Sequence, residues 1–161
     1  MGRKAQSAME FLMTYGWAIL IMLVVVGVLF MLGVFNPQTA SPNSCILPAG
    51  FSCYGYAIRD AGVLVIDIGQ ATGSDVQITN MACTAQDNPT VPALSAPIVI
   101  QSGKHVQVPG TEALTCYNED GATTPSEGDF YRGTLHIYYT DQRTSITHKI
   151  KGDISYKVEA S

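Results

Sequence analysis

Hydrophobic and polar positions divide the chain into two dissimilar parts. From Phe11 to Phe35 there is no charged residue, and the run of 25 positions is broken only by Thr14, Tyr15 and the glycines Gly16, Gly27 and Gly33. A helix of that length spans about 37 Å at 1.5 Å per residue, enough to cross the ~30 Å hydrocarbon core of a bilayer with some tilt. It exceeds the 7–15 residues of a conventional secretory h-region. A helix that is apolar all round must be covered all round, by lipid or by other helices. Asn36-Pro37 is expected to end it, because proline cannot continue a helix and restricts the residue before it.

Beyond Asn36 the pattern changes to short runs with strand periodicity. Val63–Ile68 is an apolar run holding one Asp, and Val76, Ile78 and Asn80 alternate with Gln77, Thr79 and Met81. Ile98-Val99-Ile100 and Val106-Gln107-Val108 flank Ser102-Gly103, which suggests a tight hairpin. From Ser145 to Glu159 every odd position is polar, and the even ones are Ile146, His148, Ile150, Gly152, Ile154, Tyr156 and Val158. This alternation predicts a half-buried strand. Its expected partner, Phe130–Thr140, carries Tyr131, Leu135, Ile137 and Tyr139 on odd positions. Bringing both apolar sets to one face requires paired numbers with an odd sum. A four-residue turn over Asp141–Thr144 would set Tyr139 opposite Ile146, Leu135 opposite Ile150 and Gly133 opposite Gly152. On this register His148 faces inward and His136 outward, so the histidines, His105 included, should not converge on a metal. The fold class expected is α+β: a long N-terminal hydrophobic helix, then an all-β, antiparallel, β-sandwich-like head.

Charge and cysteines refine this picture. Net charge is −4. Past Asn36 there are seven Lys/Arg and twelve Asp/Glu, 7 − 12 = −5 for the head. An acidic head without a basic stripe argues against nucleic acid as a partner, since that affinity comes mainly from neutralising phosphates. Arg3 and Lys4 precede the apolar run, which orients the N-terminus to the cytoplasm and the head outside. All four cysteines, Cys45, Cys53, Cys83 and Cys116, follow the apolar run and form no C-x-x-C pair. Two disulfides in an oxidising compartment are therefore expected, not a zinc site. Four cysteines allow three pairings. Proximity favours Cys45–Cys53, which leaves Cys83–Cys116, with loop-closure contributions of about 2.6 and 3.8 kcal/mol.

Chemistry-bearing motifs are sparse. The acidic stretch Tyr117–Gly121 with Glu127 and Asp129 lacks EF-hand spacing and reads as a solvated loop. There is no G-x-S-x-G, P-loop or G-x-G-x-x-G sequence. No catalytic residue, cofactor or metal site is expected, and a structural subunit is favoured over an enzyme.

Glu10 stands out at the mouth of the uncharged run. Ser7-Ala8-Met9-Glu10 matches the S-x-x-E capping box, and a carboxylate in a first helical turn also suits the helix dipole. Alternatively, Glu10 pairs with a cation in an apolar setting, where a lone charge is costly.

The stretch Arg3-Lys4-Ala5-Gln6-Ser7-Ala8-Met9-Glu10-Phe11, followed by the apolar run, resembles the class III signal peptide of archaeal type IV prepilins. The resemblance covers about 35 residues, with Ala5 where the family usually has glycine. It implies a leader of residues 1–5, cleavage between Ala5 and Gln6, and a membrane and filament-core helix over 6–36; the Pro/Ser/Asn-rich composition and strand patterning beyond it give a linker and disulfide loop over 37–53 and a β-rich extracellular head over 54–161. The resemblance also implies assembly through Gln6, Glu10 and Phe11, with Glu10 pairing with the new N-terminal amine of a neighbouring Gln6. The partners implied are a class III signal peptidase, the pilus assembly machinery, the membrane before assembly, and further copies of the chain in a helical filament. The mature location would be the cell surface. A membrane-anchored extracellular β domain that does not polymerise is the alternative.

Overall fold

The computed structural model describes residues 3–34, 42–108 and 114–160, with side chains omitted for 3–8, 11 and 12. It contains two compact units, residues 1–41 and 42–161.

In the first unit, helix α1 spans Arg3–Met31. Within it, Met13–Met31 is long and apolar enough to cross a membrane. None of its described side chains is buried within the molecule. The helix ends earlier than Asn36-Pro37. Gly33 adopts φ +68°, its N–H donates to Phe30 O at 3.1 Å, and the Val34 N–H donates to Leu29 O at 3.2 Å. This pair of bonds is a Schellman motif, which satisfies carbonyls that a helix end leaves open. Residues 35–41, including Asn36-Pro37 and the first part of the expected linker, lie outside the described residues.

The head, from Pro42 onward, holds nine strands: β1 (Ser44–Ile46), β2 (Phe51–Arg59), β3 (Val63–Gln70), β4 (Val76–Thr84), β5 (Ala93–Ile100), β6 (His105–Val108), β7 (Leu114–Tyr117), β8 (Phe130–Asp141) and β9 (Thr147–Lys157). β1 falls inside the stretch read from sequence as linker and disulfide loop. The strand order is β1-β9-β8-β4-β7-β3-β2, with β5 added to β4 and β6 to β3. All pairings between strands are antiparallel except β4 with β7. The sheet curls into a nearly closed barrel rather than two free layers, because β7 pairs with both β4 and β3. Its core includes Ile58, Leu64, Ile66, Ile68, Ile78 and Met81, all fully buried.

Three details depart from the sequence reading. The β8–β9 register sums to 287, with Leu135 opposite Gly152, Ile137 opposite Ile150, Tyr139 opposite His148 and Gly133 opposite Ile154. The parity is as expected, but the pairing is moved by two. Asp141 is the cause: its Oδ1 accepts the N–H groups of Arg143 (2.8 Å) and Thr144 (3.0 Å), and its N–H donates to Ile146 O (3.0 Å). Asp141 thus closes the ladder, and Ser145 enters the turn with φ +57°. Second, β5 and β6 do not pair with each other; β5 joins β4 and β6 joins β3. The Ser102-Gly103 turn carries the chain between the two sides of the barrel, held on buried Gln70. Gln70 O accepts from Gly103 N at 2.8 Å, and Gln70 Nε2 donates to Ser74 O and Ile100 O. Third, an irregularity between Ile78 and Asn80 switches the parity of β4, so Met81 and Cys83 face the core and Asn80 turns its amide to Val91 O.

Candidate functional site

The residues singled out at the N-terminus lie on one continuous helix. The backbone is helical from Arg3, so the Ala5–Gln6 bond lies within α1. The side chains of Ala5, Gln6 and Phe11 lie outside the described residues. Glu10 is exposed, and its carbonyl accepts the Thr14 hydroxyl at 2.9 Å. The capping-box reading of Ser7–Glu10 does not hold here. The helix starts four residues before Ser7, so Glu10 is past the first turn, where orphan N–H groups and the dipole act. A carboxylate on an exposed helical face, just before an apolar span, needs a partner from elsewhere once that face leaves water. Where a Cβ would stand on Gly16 or Gly27 there is open space, so both positions present flat helix surface.

The cysteines pair as Cys45–Cys53 and Cys83–Cys116, with Cα separations of 6.2 and 4.4 Å. The second is buried and joins β4 to β7. The first is half-buried and joins β1 to β2, the two ends of the strand order. The other end of that seam is closed by the C-terminal segment: Asp60 N donates to Glu159 O and Glu159 N to Ile58 O. Tyr156 Oη lies 2.7 Å from Glu159 Oε1, and this bond, with burial and the nearby carboxylate, pushes the phenol up to about 12.

The histidines occupy separate places. His105 on β6 is exposed, sits 2.9 Å from the Asp67 carboxylate and stacks on Tyr54 at 4.8 Å. The ring of Tyr54 fills the space that Gly69 leaves empty. His148 is exposed and stacks on Tyr139 at 5.2 Å, because the register shift carries it beyond the core. His136 points outward by parity, as expected, yet only 1% of it is exposed, and neither ring nitrogen has a partner among the described residues. Burial, then the charges of Lys151 and Lys149, hold its pKa below the usual histidine value. Sequence parity gives a face but not what covers it, so this buried histidine was not foreseeable.

The acidic loop has an internal structural task. Asp120 accepts the N–H groups of Ala122 and Thr123 and the Thr123 hydroxyl, which holds its pKa below the usual carboxylate range, the Thr123 backbone bond contributing most. Among the described residues no group of three or more His, Cys, Asp or Glu side chains is placed to hold a metal ion. A cleft of about 520 Å³ lies beside Met81–Thr84, rimmed by Pro89, Pro92, Leu114 and Tyr117. No family model and no curated protein matches the chain.

Proposed function

We propose that the chain is a structural subunit of a surface filament resembling an archaeal type IV pilus, serving adhesion or surface attachment. The observation that carries this reading is α1. Met13–Met31 is a strongly apolar span with none of its side chains buried within the molecule, and Glu10 stands exposed just before it. Such a helix can exchange lipid for the helices of further copies with little change in apolar burial, while Glu10 finds its counter-charge on a neighbour. The resemblance of Arg3–Phe11 to class III prepilins supplies that counter-charge, the amine of Gln6 after cleavage. The disulfide-braced β head suits the exterior of a cell. On this reading the head coats the filament and catalyses nothing.

The span itself serves an anchored, non-polymerising β domain equally well. Mass spectrometry of the N-terminus, done separately on membranes and on sheared surface material, distinguishes the two. A chain beginning at Gln6 in sheared material is the expected result. A chain beginning at Met1 and confined to membranes would overturn the filament reading.

A further inference from the structure

The chain enters the head at Pro42, the covalent path along which a pull on the N-terminal unit reaches it. The first segment it meets is weakly held. β1 is three residues long and, among the described residues, pairs only with β9. Around it, Ser155 Oγ donates to Pro42 O (3.2 Å), Lys157 N donates to Asn43 Oδ1 (3.0 Å), and the Ser44 and Ser155 hydroxyls meet at 2.8 Å. These are a few part-exposed bonds at a sheet edge, each of modest net strength. One residue into β1 the chain is bonded to Cys53, which lies in the nine-residue strand β2. That strand pairs with β3 from Phe51–Gln70 to Arg59–Val63 and carries fully buried Ile58.

We infer that the Cys45–Cys53 bridge is a mechanical strap: it passes tension arriving at Pro42 straight to β2 and leaves residues 46–52 slack. With the bridge present, freeing the entry segment exposes only the residues before Cys45. Without it, β1 peels from β9 and the 46–52 segment straightens, Phe51 and Ser52 leaving the end of the β2–β3 ladder. The Cα atoms are 6.2 Å apart across the bridge and eight residues apart in sequence. A chain of that length extends to about 26 Å or more, so the strap withholds about 20 Å of extension. The strap also closes the barrel seam between its two end strands, so its loss opens the head from the side on which tension enters. Its use under tension rests on the filament reading; its geometry does not.

The test is single-molecule pulling of the full chain in a detergent micelle, with handles at the N-terminus and in the Ser102-Gly103 turn. Wild type is compared with the Cys45→Ser/Cys53→Ser double variant. The expected result is a first, low-force opening in the variant that is about 20 Å longer than in wild type, with the rest of the head intact. Equal first steps, or a variant head that opens all at once, would overturn the strap. Should the variant lack strand signal by circular dichroism, wild type is pulled in a small-thiol reductant, which reaches the half-buried Cys45–Cys53 bond before the buried Cys83–Cys116 bond. Appearance of the same step supports the inference, and its absence overturns it. Failure of the filament reading would appear separately, as an uncleaved N-terminus with the step unchanged.

Discussion

At the scale of single residues, His136 is the most consequential side chain in the head. It lies between Ala82 and Lys151 in the register of β4, β8 and β9, buried, with no acceptor for its ring N–H among the described residues. Protonation would add a charge beside Lys149 and Lys151. The unfolded chain takes up that proton near pH 6.5, the folded head only at lower pH. Between those values the unfolded state binds more protons. Stability should therefore be full above about pH 6.5 and fall below it, at up to about 1.4 kcal/mol per pH unit. Denaturant midpoints of wild type and His136→Phe, measured from pH 7.5 to 5, test this. The wild-type decline should flatten in the variant; parallel curves would assign the decline to other groups. Gly33 carries a second prediction. Its left-handed φ of +68° suits glycine, so Gly33→Ala should cost about 1 kcal/mol locally and speed hydrogen exchange at the Val34 amide. Unchanged exchange would show that the Schellman bonds do not hold that end.

At the scale of elements, strand parity was legible in β8 and β9 but not in β4, and strand ends were not legible. Period-two alternation places Tyr131, Leu135, Ile137, Ile154 and Tyr156 on the core face, where all five are buried. The same alternation cannot say where a ladder stops. That is decided by one carboxylate, Asp141, and by Ser145 accepting a left-handed conformation, so His148 and Ile146 end outside the core. Likewise Ser102-Gly103 is a turn, as its composition suggests. Which strands it joins depends on Gln70, some thirty residues earlier, and local sequence cannot report that contact. The end of α1 is not legible in the sequence for a related reason. A Schellman glycine and a membrane-packing glycine look alike until the carbonyls they serve are seen. Gly152 shows how element docking depends on a missing side chain. A Cβ there would meet the Leu47 side chain and the Ile46 carbonyl oxygen, so β1 and the following turn lie against bare backbone. Gly152→Ala should cost about 1–3 kcal/mol and loosen β1 selectively, seen as faster exchange at residues 44–47 with the β3 and β4 amides unchanged. Uniform loosening would mean that β1 and the core unfold together.

At the scale of the whole molecule, the two disulfides hold different parts of one closed sheet. Cys45–Cys53 joins the end strands, whereas Cys83–Cys116 ties β4 to β7, the strand through which the two sides of the barrel are hydrogen-bonded. The β4–β7 pairing is short, Cys83–Cys116 and Thr84–Tyr117, and the β7–β3 pairing is equally short. A joint of so few ladder bonds depends on its covalent link. Loop-closure entropy gives that link about 3.8 kcal/mol, against about 2.6 for the shorter loop, and a domain's total is typically about 5–15. Replacing Cys83 and Cys116 with alanine also removes buried sulfur from the core, so the loss should exceed the entropic figure. The expected outcome is a cooperative fall in the urea midpoint for Cys83→Ala/Cys116→Ala. For Cys45→Ala/Cys53→Ala a smaller fall is expected, confined in hydrogen exchange to β1 and the start of β2. If the first pair proves the milder, the barrel is held by its long β4–β8–β9 ladders, and β7 is a filler strand rather than the joint between its sides.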